Sequence, residues 1–509
     1  QLFWLFALLA GVINYGRLDD YLGPYLVADL ESGRLTDEEA YRYIHSLWTM
    51  IENRRTTVNG RIIVGGKGRK HPKEADVFLH IAMKVAKNCR YVEPQFTLRF
   101  DKETSEEIWD EALDALGAGA TYPTLYNDDV NVPAVMYGMR VDEKTAEQYV
   151  PFGCTEFVIQ GQSTGTPNIC INLLKLLTIY MNDGIDPIDG KRKSGPVPLK
   201  KLEEYQTFEE FYDGYKALLD YYLDLSVKAQ YHSYEVMNQH VSFLFTSLLT
   251  DDCIARGKAL LDGGVRYLGG TNETYGNINT SDSLWVIRDL VFNQKKYTLR
   301  QLNDAMLANF NGYEALRKDC LNCDKYGNDL ETADTMANDL YEFVAKGVRD
   351  RGIAIGMQYF LIVISNNQLN TEWGNRTAAS PDGRLSCMYM NPANNPQGGA
   401  NKSGPTAMLN SLAKFDAKYH GGSVQNIKFS PSMFNENRAV IKSLFKTYFA
   451  KGGCHLMVTV VDKGVLEDAV EPPENYPDLI VRVSGFSAVF VDLSPNIQQE
   501  LLSRVLYDK

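Results

Sequence analysis

Helical and extended patterns alternate along the first third of the chain. Thr36 and Glu39 have the spacing of a capping box, and the residues after them place apolar side chains on one helical face. Thr104 and Glu107 repeat this spacing ahead of a second amphipathic segment. The strand-like segments between these helical patterns are residues 61–64 and 95–100. The alternation predicts an α/β fold with largely parallel strands.

The rest of the chain contains longer helical patterns and one irregular stretch. Helical periodicity covers residues 205–230 and 298–316, and the second segment opens with Thr298 and Gln301 in capping-box spacing. A stretch rich in Gly, Pro and Asn, residues 374–404, then interrupts the periodicity and is the best candidate for a domain boundary. Two β-like runs and a final helix are predicted beyond it, at residues 455–462, at residues 479–483 and from Ser494 onward.

The chain starts with an apolar segment at residues 2–13. About a dozen residues are too few for a membrane-spanning helix, which needs ~20. The segment also lacks a basic lead and a small-residue cleavage site, so a signal peptide is not indicated. We therefore expect a buried helix whose beginning is missing, in a chain that is a fragment or a processed form.

Composition favours an enzyme of small-molecule metabolism. The chain has 509 residues, 44% of them hydrophobic, and a net charge of -12 from 64 acidic and 52 basic residues. A negative charge of this size works against binding to nucleic acid or to an anionic membrane surface. The eight cysteines are spread over the whole length without a dense framework, which is typical of a reduced cytoplasm. We expect a cytoplasmic protein.

Three weaker motifs are not interpreted as functional sites. Cys320 and Cys323 have the spacing of a metal knuckle, but no second pair and no nearby His completes four zinc ligands. The glycine-rich segment at residues 60–69 lacks the Gly-Lys-Ser/Thr ending of a phosphate-binding loop and does not open a helix, so it is read as a turn. His455 is a polar residue lining a site or a core histidine with its hydrogen bonds satisfied, and the second interpretation is favoured. We predict no bound metal.

Gly485 stands in the run RVSGFSA, residues 482–488, near the C-terminus. This run resembles the glycyl radical signature, and the resemblance continues to Arg504. A radical on a backbone α-carbon is delocalised over the flanking amide groups only if that carbon can flatten, and glycine, having no Cβ, allows this with least steric conflict. The alternative reading of an isolated glycine is a bulge or close contact in a strand. Gly485 is the predicted site of a stored radical.

Cys154 stands in the run VPFGCTE, residues 150–156, which is similar to the cysteine loop of the same family. A thiol suits radical relay because its S–H bond is weak enough to give hydrogen to a glycyl radical, while the thiyl radical still abstracts hydrogen from an activated carbon. An isolated cysteine is more often a small buried apolar residue. A two-electron nucleophile would need a His partner, and no His lies nearby in sequence.

On these two motifs the chain is identified as a member of the glycyl radical enzymes of the pyruvate formate-lyase superfamily. Cys154 and Gly485 are 331 positions apart (485 minus 154), a separation typical of the family. Further matching motifs follow in order along nearly the entire chain: GRLD at 16–19, YP at 122–123, ND at 127–128, SDSL at 281–284, YGND at 326–329, PDGR at 381–384 and SGPT at 403–406.

The resemblance implies a specific architecture and a specific partner. The implied fold is a ten-stranded β/α barrel with many surrounding helices, in which a cysteine loop and a glycine loop meet tip to tip. The implied domains are a pyruvate formate-lyase-like domain at residues 1–380 and a glycine radical domain at residues 381–509. No bound cofactor is implied; a separate iron–sulfur, S-adenosylmethionine-dependent activating enzyme would install the radical on Gly485. The family also suggests a homodimer and a longer N-terminal part.

The residues around Cys154 narrow the predicted reaction. Formate acetyltransferases of the family carry two adjacent cysteines, whereas Thr155 follows Cys154 here. Glu156 gives the Cys-x-Glu arrangement of the eliminating enzymes and arylacetate decarboxylases, where the carboxylate acts as a general base on a substrate hydroxyl group. The sequence departs from the diol dehydratases at four positions, which are candidates for the substrate pocket: Asn14, Tyr15, Phe157 and Asn168.

The resulting hypothesis is radical C–O or related C–X elimination on a small polar metabolite other than glycerol, propanediol or choline. In this hypothesis Cys154 abstracts hydrogen, Glu156 removes a proton and Gly485 stores the radical. Decarboxylation is the second enzymatic alternative, and acyl transfer of the formate acetyltransferase type is the third. The alternative outside enzymology is an inactive fragment or a radical-domain partner of another chain.

Overall fold

The computed structural model describes residues 14–54, 60–165, 167–365 and 368–508. The predicted helix at residues 2–13 lies outside the described residues. The chain forms two compact units, the first made of Gln1–Gln160 with Ser423–Lys509 and the second of Gly161–Gly422. The domain division at residue 380 stays a prediction.

Strands are distributed over both units. The resemblance implies a ten-stranded barrel; the described strands form a seven-stranded sheet in the first unit and a four-stranded sheet in the second. In chain order the strands are β1 Asn14–Arg17, β2 Arg61–Gly65, β3 Phe96–Phe100, β4 Thr124–Asn127, β5 Tyr149–Phe152, β6 Glu156–Ile159, β7 Pro167–Asn172, β8 Gly269–Tyr275, β9 Tyr359–Ile364, β10 His420–Ser423, β11 Asn426–Phe429, β12 His455–Val460, β13 Ile480–Arg482, β14 Ser487–Val489 and β15 Leu506–Tyr507.

Helices connect and cover these strands. The α-helices of the described residues are α1 Leu18–Glu31, α2 Asp37–Glu52, α3 Pro72–Asn88, α4 Glu106–Gly117, α5 Asp128–Met139, α6 Glu143–Ala146, α7 Leu173–Met181, α8 Phe208–His240, α9 Leu244–Leu248, α10 Cys253–Arg256, α11 Asn277–Val286, α12 Leu299–Leu307, α13 Glu314–Asn322, α14 Glu331–Ala354, α15 Leu369–Gly374, α16 Gly404–Leu412, α17 Pro431–Glu436, α18 Arg438–Ala450, α19 Lys463–Asp468 and α20 Pro495–Ser503. Each of them is too short or too polar to cross a bilayer.

The sheet of the first unit has the order β1-β2-β3-β4-β12-β11-β15. Its neighbours pair in parallel except β4 and β12, which pair antiparallel. The predicted strands at residues 61–64 and 95–100 correspond to β2 and β3, and all their residues are buried. Continuous burial is typical of parallel strands that are covered on both faces. The predicted α/β class with largely parallel strands is confirmed.

The second unit is built on four strands and two long helices. Its sheet has the order β10-β9-β8-β7, with β7, β8 and β9 parallel. The 33-residue helix α8 packs on β7 and β8, and the 24-residue helix α14 packs on β9. The predicted irregular stretch lies in this unit, where neither helix nor strand occurs between α15 and α16.

Helix starts follow the capping signals closely, with one correction. The capping boxes at Thr36 and Thr298 are both present. The predicted cap Thr104 is wrong, because the Ser105 side chain accepts from Ile108 N at the start of α4, while Thr104 bonds back to Asp101.

The predicted helix at residues 298–316 is interrupted. It is divided into α12, which ends at Leu307, and α13, which begins at Glu314. Between them Asn309, Phe310 and Gly312 have φ angles of 51°, 59° and 81°, in the left-handed region that a continuous helix cannot include. The sequence contained a signal for this break, the Asn311-Gly312 dipeptide typical of turns, which the prediction of one continuous helix overlooked.

Candidate active site

The cysteine motif forms a tight β-hairpin in the first unit. Strands β5 and β6 pair antiparallel, with Phe152 opposite Glu156, and leave a three-residue tip. Gly153 in this tip has φ +51°, a left-handed conformation that glycine adopts at little cost. Cys154 is 1% exposed. The hairpin therefore carries the thiol into a buried environment of the same unit.

The glycine motif forms a second hairpin of the first unit. Strands β13 and β14 pair antiparallel, with Arg482 opposite Ser487, and the turn is closed by bonds from the Val483 and Ser484 N–H groups to Phe486 O. Apolar residues of the hairpin pack with helix α20 in one buried cluster. The hairpin is also bonded to the segment before β4, where Ser487 Oγ donates to Thr121 Oγ1 at 2.9 Å.

The tips of the two hairpins touch at Gly485 and Cys154. A Cβ atom added to Gly485 would overlap Cys154 Cα and Cβ and would lie 2.8 Å from the Cys154 carbonyl carbon. Only a residue without a side chain fits this approach. The two predicted radical-carrying residues, 331 positions apart (485 minus 154), are thus brought into contact within one compact unit.

Glu156 lies beside the cysteine tip. Its carboxylate folds back over the hairpin and accepts from Thr155 N at 2.9 Å. The same carboxylate covers Gly153, because a Cβ added there would come within 2.7 Å of Glu156 Oε2. Glu156 is 3% exposed, so the structure places a buried carboxyl group next to the thiol-bearing turn.

Two buried arginines donate hydrogen bonds to backbone carbonyl oxygens of the two tips. Arg61, on β2, donates to the carbonyl oxygens of Gly153 at 2.8 Å and Cys154 at 3.4 Å. Arg482, on β13, donates to Gly485 O at 3.3 Å. Sequence reasoning did not single out Arg61, because nothing in a strand-like run indicates that its side chain reaches residues about ninety positions further on. Arg482 lay inside the glycine motif without an assigned role.

The base of the glycine hairpin is fixed by a third arginine. Arg504 donates to Val483 O at 2.6 Å and to Arg482 O at 3.4 Å, and it forms an ion pair with Glu500 at 2.6 Å. Arg504 is the residue at which the sequence resemblance ended. Its place in the motif therefore has a structural explanation, since it binds the backbone two and three residues before Gly485.

The predicted pocket residues have different environments. Asn14 Nδ2 donates to Pro151 O at 2.7 Å, so Asn14 supports the cysteine hairpin. Phe157 is buried edge-to-face against Tyr149, with ring centroids 5.2 Å apart. Tyr15 is buried beside Gly60, and burial raises its pKa. Asn168 belongs to β7 of the second unit, and its side chain lies outside the description.

The buried hydroxyl group of Tyr126 interacts electrostatically with Glu156. Burial raises the pKa of Tyr126, Arg61 and Arg482 lower it, and Glu156 raises it. Its ring lies edge-to-face on His455, with centroids 4.5 Å apart. His455 is 1% exposed, and Gln425 N donates to its Nδ1 at 3.4 Å. Its interpretation as a core histidine with satisfied hydrogen bonds stays a prediction. Sequence analysis did not identify Tyr126.

One group of potential metal ligands occurs among the described residues, outside this site. His80 of α3 and Glu107 and Glu111 of α4 have ligand atoms within 4.8 Å of one another. All three are at least partly exposed, and His80 Nδ1 lies 2.8 Å from Glu111 Oε2. A surface pair between two packed helices accounts for this arrangement.

The chain matches two family models. The first, described as Pyruvate formate lyase-like, matches residues 1–369. The second, described as Glycine radical, matches residues 390–491, which include Gly485. A curated relative, trans-4-hydroxy-L-proline dehydratase of Clostridioides difficile, is 29% identical over 506 residues, which are 96% of this chain and 64% of the relative.

Solved structures are similar over nearly all of the chain. Hydroxyproline dehydratase from Clostridioides difficile has a TM-score of 0.90 at 27% identity, covering 97% of this chain and 64% of that one. The B12-independent glycerol dehydratase from Clostridium butyricum has a TM-score of 0.89 at 28% identity, covering 98% of this chain and 64% of that one.

These similarities confirm the predicted fold class, an α/β fold of the glycyl radical enzyme type. This chain spans about 64% of the length of the relatives it matches. The chain belongs to the pyruvate formate lyase-like family and carries its glycine radical domain.

Proposed function

We propose that the protein containing this chain is a glycyl radical lyase that eliminates water or a related leaving group from a small polar metabolite. The observation that carries the proposal is the contact of Gly485 with Cys154, with the buried Glu156 carboxyl group two residues further on. Relatives named as dehydratases support the same reaction class.

Hydrogen transfer begins at Gly485. A radical stored on its α-carbon takes the hydrogen atom of the Cys154 S–H bond, which leaves a Gly485 C–H bond and a thiyl radical on Cys154. The thiyl radical then takes a hydrogen atom from a substrate carbon that bears a hydroxyl group. Contact between the tips supports this step because transfer requires the reacting atoms to be close and oriented.

Glu156 acts as the general base in the elimination. It accepts the proton of the substrate hydroxyl group while the substrate radical expels the leaving group from the neighbouring carbon. Glu156 then passes this proton to the leaving group, so the substrate loses HX in total and the carboxylate is regenerated. The product radical recovers a hydrogen atom from Cys154, and the thiyl radical recovers its hydrogen atom from Gly485.

Buried hydroxyl groups support a polar substrate. Thr155 Oγ1 and Ser484 Oγ are adjacent in sequence to the two touching residues, and neither forms a hydrogen bond within the described part of the chain. Burial of an unbonded hydroxyl group costs free energy. A hydroxylated substrate bound at the hairpin tips would give both groups a partner.

The radical has to be supplied from outside this chain. We propose a separate S-adenosylmethionine-dependent iron–sulfur activating enzyme as its source. Because Gly485 is buried against Cys154, the glycine hairpin has to move away from the cysteine hairpin before another protein can reach it. A homodimer and a cytoplasmic location stay predictions.

Product analysis separates the alternatives. The full-length protein would be activated anaerobically, its glycyl radical counted by EPR, and candidate hydroxylated metabolites supplied. Elimination predicts a product lighter by HX, decarboxylation predicts CO2, and acyl transfer predicts an acylated acceptor. Thr155 in place of a second cysteine argues against acyl transfer.

The variant Cys154→Ser tests the assignment of the thiol. We expect it to accept the radical on Gly485 and to lose turnover, while Cys89→Ser, at a partly exposed cysteine of the first unit, keeps both. Turnover that persists in Cys154→Ser contradicts the proposal. An activated wild type that converts none of the supplied metabolites supports the non-enzymatic alternative, a radical-domain partner of another chain.

A further inference from the structure

We infer that Arg482 stabilises the glycyl radical by placing a buried positive charge against the Gly485 carbonyl oxygen. The inference rests on the proposed function, because it concerns the residue on which that function stores the radical. Arg482 Nη2 donates to Gly485 O at 3.3 Å, and Arg482 is only 2% exposed.

The Arg482 guanidinium group is held in place by three further contacts. Nη1 donates to Ser487 Oγ at 3.0 Å, and Nε points to Met457 Sδ at 3.1 Å. The guanidinium carbon lies 4.8 Å from the centre of the Tyr122 ring, a cation–π arrangement. These contacts restrict the side chain from several sides, so the hydrogen bond to Gly485 O is preorganised.

A charge at this position is costly for folding. Burial lowers the pKa of Arg482, Tyr122 offsets part of this effect, and the positive charge of Arg61 lowers the pKa further. The four groups that Arg482 contacts here, namely a carbonyl, a hydroxyl, a thioether and an aromatic ring, are all neutral. Desolvation of a charge among neutral partners opposes stability. The field of this charge nevertheless acts strongly on Gly485 O, because the surroundings are dry.

The chemistry of the radical explains what this field does. In a glycyl radical the unpaired electron is shared with the amide nitrogen, which releases electron density, and with the carbonyl group, which accepts it. The carbonyl oxygen is therefore more negative in the radical than in ordinary glycine. A fixed positive donor at that oxygen stabilises the radical form preferentially, as oxyanion-type donors stabilise developing charge.

This effect biases the hydrogen exchange between the two tips. The Gly485 radical and the Cys154 thiol on one side interconvert with Gly485 and the Cys154 thiyl radical on the other, and one hydrogen atom moves. Arg482 favours the side with the radical on Gly485. Arg504 differs, because it binds the carbonyls of Arg482 and Val483 and not that of Gly485.

Isotope-resolved EPR tests the inference in the full-length protein. Glycine labelled with 13C at the carbonyl carbon would be incorporated, and each variant would be activated anaerobically. The carbonyl 13C hyperfine coupling and the decay of the radical in a small thiol such as dithiothreitol would be measured per spin, so that activation yield does not matter. The variants are Arg482→Met, Arg482→Lys and Tyr122→Leu.

We expect an altered 13C coupling and decay faster by about tenfold in Arg482→Met, since a charge-assisted hydrogen bond is lost. Arg482→Lys should be intermediate, and Tyr122→Leu should shift the coupling in the same direction. Arg438→Met is the matched control, because Arg438 also lies over a ring, that of Phe434 at 5.6 Å, away from the glycine motif.

Unchanged coupling and decay in Arg482→Met overturn the inference. If that variant accepts no radical, unchanged values in both Arg482→Lys and Tyr122→Leu overturn it equally. A wild type that shows no glycyl EPR signal after treatment with a competent activating enzyme rejects the proposed function itself, so the two failures are distinguishable.

Discussion

Gly485 lies against Cys154 so closely that a methyl group on Gly485 would overlap the Cys154 backbone. Glycine is therefore required at this position for two independent reasons. In the proposed mechanism its α-carbon flattens to carry a radical, and in the structure the cysteine tip leaves no space for a Cβ atom. The second reason acts in the unactivated protein and can be tested without any radical.

Gly485→Ala should destabilise the unactivated protein. The added methyl group pushes the two hairpin tips apart, and overpacking of this kind typically costs ~1–3 kcal/mol. Thermal unfolding and limited proteolysis at residues 479–490 would detect the change. Gly464→Ala is the control, because its added Cβ meets only the exposed Asp462 side chain at 3.1 Å. An unfolding temperature of Gly485→Ala equal to that of the control would contradict the close contact between Gly485 and Cys154.

Arg61→Met should lower turnover while leaving the radical in place. The carbonyls of Gly153 and Cys154 lose a charge-assisted donor worth ~1.5–3 kcal/mol, so the cysteine tip becomes less well positioned. We expect turnover per spin to fall by about 10- to 100-fold. Arg61→Lys should recover part of the rate. The exposed Arg34→Met is the control, and a full rate in Arg61→Met would exclude a positioning role.

Glu156→Gln should lower turnover while leaving the radical on Gly485 in place. The amide oxygen can still accept from Thr155 N, so the hairpin is retained, but the proton acceptor is lost. Loss of a general base typically reduces the rate by ~10²–10⁴. Turnover with the preferred substrate measures this effect, and EPR verifies that the radical is present. Glu467→Gln, at an exposed position, is the control and should have the turnover rate of the wild type. Equal turnover rates in Glu156→Gln and Glu467→Gln would show that Glu156 is not the general base.

Lys428 should make stability increase with pH above neutrality. Burial lowers its pKa from the usual 10.5 to about 7, and Nζ donates to Leu501 O at 2.7 Å, a bond that the neutral amine also makes. Between pH 7 and 10.5 the unfolded chain binds a proton on Lys428 that the folded chain lacks, so unfolding becomes less favourable as pH rises. Below pH 7 both states are protonated, and this dependence vanishes.

Unfolding temperatures of the wild type and Lys428→Met, compared at pH values from 6 to 10, measure the contribution. The unfolding temperatures are converted into free energies of unfolding. Above pH 7 we expect the free energy of unfolding of the wild type to rise relative to that of Lys428→Met by up to about 1.4 kcal/mol per pH unit. The exposed Lys73→Met should show the pH profile of the wild type. Parallel profiles for wild type and Lys428→Met would show that the buried lysine does not titrate in this way.

Local signals were sufficient for much of the secondary structure. The capping boxes at Thr36 and Thr298 and the buried strands β2 and β3 were all predicted, because a cap depends on residues three positions apart and a strand on its own run of side chains. The failures were local as well. Ser105 took the place of Thr104 as a cap once Asp101 bonded to the Thr104 hydroxyl group.

The sequence by itself also predicted the candidate reacting residues, since Cys154, Glu156 and Gly485 each lie in a short run that resembles a family motif. Only the tertiary structure decided that Arg61 supports the cysteine tip and that Arg482 reaches the Gly485 carbonyl. The physical reason is that a guanidinium group chooses its partners by direction and distance in three dimensions. The partners of Arg61 lie about ninety residues further along the chain, and no sequence pattern records where a side chain points.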